Sequence, residues 1–242
     1  MRIATWNCQM GLDKKMDALL SLDPDVAVVP ECSEKSVIAF RQRGLSTLWF
    51  GSNPHKGVGI ICRQEWPIRA LPQPEQKWIV PVEVDSPTPF ILIAVWACAV
   101  GASRENRYIG QVYQALMAHP EWFNGSPVVV AGDFNSNKIW DAKRKVGNHS
   151  GVVKFLDGRG LMSAYHENFN ESQGTETCPT LHLFRHKNRP YHVDYVFIPR
   201  EWVFRLRAVE VGEYEQWSRL SDHCPVVVDI CCSQPLRNSP EP

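Results

Sequence analysis

Val128-Val129-Val130-Ala131-Gly132-Asp133-Phe134-Asn135 reads as a strand buried on both faces, apolar until it delivers a carboxylate and an amide at its end. A second segment repeats the device: Leu220-Ser221-Asp222-His223-Cys224-Pro225 sets an acid beside a histidine ahead of Val226-Val227-Val228. Strand ends are rigid mounts. Polar side chains crowded there must satisfy each other, bind an ion or do chemistry.

Working outward, short apolar runs are expected as strands at Ile3–Trp6, Val26–Val29, Thr47–Phe50, Val58–Cys62, Trp78–Val84, Phe90–Trp96, Val193–Ile198, Trp202–Val209 and Pro225–Ile230. Helical spacing is expected after a cap at Asp13, from Ser33 through Phe40, over Arg104–Met117 and near Val152–Asp157. Strands separated by both tight turns and helices indicate an α/β or α+β sandwich with mixed pairing.

The chain has 242 residues and no internal break in composition, so residues 1–232 are expected as one domain and the proline-bearing end, 233–242, as a flexible tail. No apolar run approaches the roughly 20 residues needed to span a bilayer. The start, Met1-Arg2-Ile3-Ala4-Thr5-Trp6-Asn7, lacks the apolar stretch and cleavage site of a secretory signal, so a cytoplasmic location without membrane association is expected. The eight cysteines show no Cys-x-x-Cys pair and no zinc spacing, which favours reduced structural thiols.

Formal net charge is zero, with 26 basic and 26 acidic residues, which argues against gripping a polyanion by bulk field alone. Local grip remains open. Lys138, Lys143, Arg144, Lys145, Lys154 and Arg159 outnumber Asp141 and Asp157 just after Asp133, and Arg185, Lys187 and Arg189 precede Asp194 with no intervening acid.

Asn7, Glu31, Asp133, Asn135, Asp194, Asp222 and His223 each sit at or beside the end of an apolar run. Four carboxylates at one core edge would repel unless a cation neutralised them. Oxygen donors without cysteine suit Mg²⁺ or Mn²⁺, and such ions commonly serve phosphate chemistry.

Thr5-Trp6-Asn7, Pro30-Glu31, Gly132-Asp133-Phe134-Asn135, His192-Val193-Asp194-Tyr195-Val196-Phe197 and Ser221-Asp222-His223-Cys224-Pro225 together resemble, in order, the signatures of the endonuclease/exonuclease/phosphatase superfamily, typified by exonuclease III and deoxyribonuclease I. The resemblance implies a four-layer sandwich of two packed mixed sheets flanked by helices, with a metal-dependent phosphoesterase site at one end. It implies Glu31 as the principal metal ligand, helped by Asn7 and Asp222. Asp133 would activate water, Asn135 would hold the phosphate, His223 would stabilise the phosphoryl oxygens and Asp194 would pair with His223.

Departures from the pattern bear on substrate. Pro30 stands where the family often has glutamine, and Trp96 falls where relatives offer a tyrosine or histidine near the phosphate; an indole can donate a hydrogen bond but is no general acid. The basic, aromatic stretch before Asp194 makes Arg185 and His192 candidate substrate contacts beside Trp96, and does not support abasic-site specificity. For His192 a solvent-facing strand histidine is the plainer expectation. The expected activity is a Mg²⁺- or Mn²⁺-dependent nuclease on DNA or RNA with no obligate protein partner. The alternatives are a phosphodiesterase or phosphatase on a small molecule or lipid, and a binding module that kept the fold without the chemistry.

Overall fold

The structure is a computed structural model that describes residues 1–99, 107–141 and 146–231. Lys143, Arg144 and Lys145, the expected helix start at Arg104 and the expected tail, 233–242, lie outside the described residues. In chain order the strands are β1 (Arg2–Thr5), β2 (Val26–Cys32), β3 (Ser46–Asn53), β4 (Lys56–Cys62), β5 (Ile68–Ala70), β6 (Ile79–Val84), β7 (Phe90–Trp96), β8 (Val128–Asp133), β9 (Leu161–Ser163), β10 (Leu181–His182), β11 (Pro190–Tyr191), β12 (Asp194–Pro199), β13 (Leu206–Val211) and β14 (Val226–Ile230). The helices are α1 (Met16–Leu20), α2 (Glu34–Gln42), α3 (Ile109–Ala118), α4 (His149–Gly158), α5 (Ala164–Phe169) and α6 (Tyr214–Trp217).

Two six-stranded sheets form, in the orders β13-β14-β1-β2-β4-β3 and β5-β6-β7-β8-β12-β9. Both are mixed, because β1–β2 and β7–β8 pair in parallel while the remaining ladders are antiparallel. Side chains on a strand alternate between faces, and the core divides accordingly. Ile3, Val26, Val28, Leu92, Ala94, Val129, Ala131, Val196 and Val228 meet between the sheets. Ile91, Ile93, Val130 and Phe197 face α3 and α4. Ala27, Val29 and Val227 face α1, α2 and α6. These three apolar interfaces separate four layers, as the resemblance implies. Among the described residues no helix is long and apolar enough to cross a membrane.

Capping follows the sequence where a short polar side chain precedes the helix. Ser33 Oγ accepts the Ser36 N–H at 3.2 Å, and Asn148 Oδ1 accepts the Gly151 N–H at 2.9 Å. Two expected elements differ. Asp13 lies inside a 3-10 turn, Leu12–Lys14, entered from Gly11 at φ +63°, and α1 begins only at Met16. The cause is Lys15, whose ammonium folds back onto the carbonyls of Cys8 and Met10 and holds the chain off the helical path. The strand expected over Trp202–Val209 is instead a 3-10 helix, Arg200–Arg205, followed by β13. Trp202 is spent as a buried anchor edge-on to Phe90, which a regular strand would not permit.

Candidate active site

Strand parity puts one row of side chains at the open end of the inter-sheet layer. Residues 129 and 131 of β8 face that layer, so Asp133 does too; Asp194 ends the matching row of β12 and Trp96 that of β7. Trp96 pairs with Asp133 in the parallel β7–β8 ladder, and Asp133 pairs with Asp194 across β8–β12. The other sheet contributes Asn7 just beyond β1, Glu31 in β2 and His223 just before β14. The site is therefore the polar continuation of the apolar inter-sheet core.

Its centre is buried and closely bonded. His223 Nδ1 lies 2.8 Å from Asp194 Oδ2, and both side chains are buried. Asp133 Oδ2 accepts from Asn7 Nδ2 and from Asn135 Nδ2, each at 2.9 Å, while Oδ1 accepts the Asn135 backbone N–H at 2.8 Å. Burial pushes the Asp133 carboxyl up to about 7, Asp194 adding to this and the His223 charge and Asn7 opposing it. Burial alone would lower His223, yet the carboxylates of Asp194 and Asp133 outweigh it and carry the imidazole up to about 10. One imidazolium thus stands between two buried acids.

Glu31 is presented by a distortion. The β2–β4 register shifts between Pro30 and Cys32, making Glu31 the bulged residue, and its φ is +60°. Gln9, Met10 and Asn135 share left-handed φ values of 48°, 65° and 44°, so strained backbone gathers around the site. Glu31 Oε1 accepts from Asn7 Nδ2 at 3.3 Å, and Oε2 lies 3.0 Å from the Lys56 ammonium. Asn7 therefore turns its N–H groups to the two carboxylates, while its Oδ1 accepts the Gln9 N–H at 3.0 Å. Asp222 is half-buried, and its backbone carbonyl accepts the His182 N–H at 2.7 Å.

Glycine is required beside the site. Gly132 has φ +145°, and a Cβ there would stand 1.9 Å from the Val95 carbonyl oxygen. Only glycine lets β8 pass β7 closely enough to seat Asp133.

Of the candidate substrate contacts, Trp96 is a buried wall packed at a tilt against Trp78, with the Lys56 ammonium 5.0 Å above its ring centroid. Arg185 is exposed but committed to Gln9 Oε1 and to the carbonyls of Arg219 and Leu220. His192 corrects both readings offered for it, since it is neither solvent-facing nor available to a phosphate. Its ring is buried against Tyr165 and Tyr195, and Nδ1 is 2.7 Å from the Cys178 carbonyl.

Several supporting residues escaped the sequence reading. Thr180 Oγ1 receives the Val193 and Asp194 N–H groups at 2.9 and 3.0 Å, fixing the start of β12. Ser221 Oγ donates to the Asn7 carbonyl at 2.7 Å and accepts the His223 N–H at 3.0 Å, tying the end of β1 to the approach to β14 within one sheet. Trp6 Nε1 donates to the His223 carbonyl at 3.0 Å. Ser221 and Trp6 stood inside quoted motifs; Thr180 and Lys56 carried no signal.

Beside Asn135 a cavity of about 370 Å³ is lined by Tyr108, Trp140, Tyr191, Leu181, Leu183 and Val193, among others. Trp140 and Tyr191 approach to 5.0 Å between ring centroids, and Trp140 is half-exposed.

No curated protein matches the sequence. Among solved structures, a 3'-5' exonuclease from Neisseria meningitidis superposes with a TM-score of 0.72 at 21% identity, over 95% of this chain and 99% of that one. An AP endonuclease from Archaeoglobus fulgidus gives 0.68 at 18% identity, over 95% and 99%. The APE2 catalytic domain from Xenopus laevis gives 0.67 at 17%, over 95% and 91%. These likenesses establish the fold. The family model of the endonuclease/exonuclease/phosphatase family matches residues 4–223, and the chain belongs to that family.

Proposed function

We propose that the chain hydrolyses phosphodiester bonds of nucleic acid, with a divalent cation held by Glu31 and Asp222 and the attacking water held by Asp133. Phosphoester hydrolysis with a divalent metal is the chemistry of the family. The observation that carries the reading is the buried Asp133–His223–Asp194 assembly, fixed from two sheets and adjoining Glu31.

The residues present fit a hard cation. Glu31 and Asp222 offer carboxylate oxygen, Asn7 holding Glu31 in place through its amide N–H, and the Cys8 thiol is unsuitable, because burial pushes it up to about 12 and keeps it protonated. Glu31 already draws the Lys56 ammonium, so this carboxylate attracts positive charge where it stands. Asp133, Asp194 and His223 also offer ligand atoms within 4.8 Å of one another. There, however, the protonated imidazole already supplies the compensating charge.

A bound cation supplies Lewis-acid polarisation of a phosphoryl oxygen. The chain supplies the rest. Asp133, poised near neutrality, accepts the proton of water as the new oxygen–phosphorus bond forms, and Asn7 and Asn135 hold its carboxylate in place. His223 turns Nδ1 to Asp194, which leaves Nε2 and a full positive charge for the phosphoryl oxygens as negative charge develops. The opposite phosphorus–oxygen bond breaks, and the departing alkoxide takes a proton from water, since Trp96 has only an indole N–H to offer.

Nucleic acid is favoured over a small diester by the aromatic cavity beside Asn135. Its walls suit stacking against a base while the phosphate sits at Asp133. Purified protein with Mg²⁺ or Mn²⁺ is expected to cleave single-stranded DNA, duplex DNA or RNA, and Asp133→Asn to abolish that cleavage. Hydrolysis of bis(p-nitrophenyl) phosphate with every nucleic acid left intact would move the reading to a small-molecule phosphoesterase.

A further inference from the structure

Lys56 opens β4 immediately after the turn at Pro54-His55. Gly57 and Gly59 clamp the strand beneath it. A Cβ on Gly57 would stand 2.2 Å from the Phe50 carbonyl, and one on Gly59 2.8 Å from Cys32 Sγ. β4 is therefore pressed against β2 and β3 beside the bulge that presents Glu31. The lysine stem leaves this fixed mount and lays its ammonium 3.0 Å from Glu31 Oε2 and 5.0 Å over the Trp96 ring.

A lysine on this carboxylate is a chemical conflict. Glu31 cannot serve a divalent ion with full strength while an ammonium covers Oε2, and the two cations would repel across a few ångströms. The conflict has a way out. Lys56 is 42% exposed and Glu31 21%, so the pair is screened and exchanges readily, and the four-carbon stem can swing while the Trp96 face keeps a second resting place for the charge. A metal ion and a free ammonium then leave excess positive charge at the rim. A phosphate dianion or diester anion neutralises it.

We infer that Lys56 is a resident counter-ion that occupies Glu31 in the metal-free protein and, once a divalent ion takes Glu31, turns to pair with the phosphate of the substrate. This rests on the reading of Glu31 as a metal ligand. Lys56 couples two binding events, holding metal affinity low until an anion arrives and raising anion affinity once metal is bound. It supplies a charge for the phosphate that the Trp96 position, with its uncharged indole, does not.

The test is a Mn²⁺ titration read by the electron paramagnetic resonance of free Mn²⁺, on the wild type, Lys56→Met, Lys56→Arg and Glu31→Gln, each checked by thermal melting. Lys56→Met is expected to bind Mn²⁺ about tenfold more tightly than the wild type, and Lys56→Arg to stay within about threefold of it. With Mn²⁺ saturating, the affinity for inorganic phosphate is expected to fall about tenfold in Lys56→Met. Unchanged or weaker Mn²⁺ binding by Lys56→Met, while Glu31→Gln loses it, overturns the counter-ion role alone. Tighter Mn²⁺ binding with unaltered phosphate affinity overturns the phosphate-pairing role. Unchanged Mn²⁺ affinity in Glu31→Gln overturns the ligand reading beneath both.

Discussion

Asp133 and Asp194 stand directly opposite one another across the β8–β12 ladder, both without exposed surface. Like charges in that position repel, and the sheet tolerates them because His223 reaches in from the other sheet with a proton between them. The pairing thus makes the His223 imidazolium a structural requirement of the fold.

A pH dependence of stability follows. The folded pKa of His223, about 10, lies above its ordinary value of 6.5, so the stability it contributes is complete below about pH 6.5 and is lost as pH rises through 10. Buried Cys8, Cys32 and Cys224, whose thiols are pushed up by burial, add to the loss once the unfolded chain ionises near pH 9. Urea midpoints of the metal-free protein are expected to fall steadily from pH 7 to pH 10. Asp194→Asn, which removes the chief attraction for that proton, is expected to lower the unfolding free energy at pH 7 by about 3 kcal/mol, and the midpoint with it, and to flatten the decline. An equally steep decline in the variant would show that His223 is not the group being titrated.

Gly132 tests whether close strand approach matters apart from chemistry. Gly132→Ala forces a Cβ towards the Val95 carbonyl at 1.9 Å in a left-handed backbone, so β8 must move off β7. The expected cost is about 3 kcal/mol or more in chemical denaturation, together with a drop of about a hundredfold in kcat, although no catalytic atom is altered. Retention of wild-type stability would mean that the strands have slack at this point.

Two places for a divalent ion can be separated by binding alone. With the ion at Glu31 and Asp222, Asp222→Asn weakens Mn²⁺ binding by at least about tenfold and Asp194→Asn leaves it within about threefold. With the ion among Asp133, Asp194 and His223, the order reverses. Isothermal titration decides. In the first case Asp133→Asn still binds Mn²⁺ while losing about a thousandfold or more in kcat, since it removes the base and not the ion.

Much of the fold was legible because its strands are buried on both faces. The runs at Val26, Phe90, Val128 and Val226 had no other use for their side chains, and each became a strand. Their polar ends were legible for the same reason. Short elements were missed, β5, β10, β11 and α6 among them, and so were those whose side chains are decided by tertiary packing: β9 and α5, which dock on β12, and the 3-10 helix that spends Trp202 as an anchor. His192 shows the limit within a motif. It alternates correctly along the strand approach, but its burial depends on Tyr165 and the Cys178 carbonyl, which arrive from elsewhere in the chain. Lys56 was silent because a lysine in a hairpin is ordinarily just a solvated turn residue.

Substrate choice is expected to rest on the aromatic cavity rather than on the charged centre. Trp140 is half-exposed, sits 5.0 Å between ring centroids from Tyr191 and lines the cavity beside Asn135, which neither Glu31 nor Asp133 lines, so its loss should disturb neither the metal nor the base. Stacking of one base on an aromatic ring contributes about 1–3 kcal/mol, which corresponds to a five- to hundredfold effect on binding. Trp140→Ala should therefore raise KM for an oligonucleotide by about tenfold, leave kcat within about twofold, and leave hydrolysis of bis(p-nitrophenyl) phosphate unchanged. Steady-state kinetics on the two substrates check this directly. An equal loss on both would place Trp140 in the folding of the site, and a loss on neither would remove the cavity from nucleic-acid recognition.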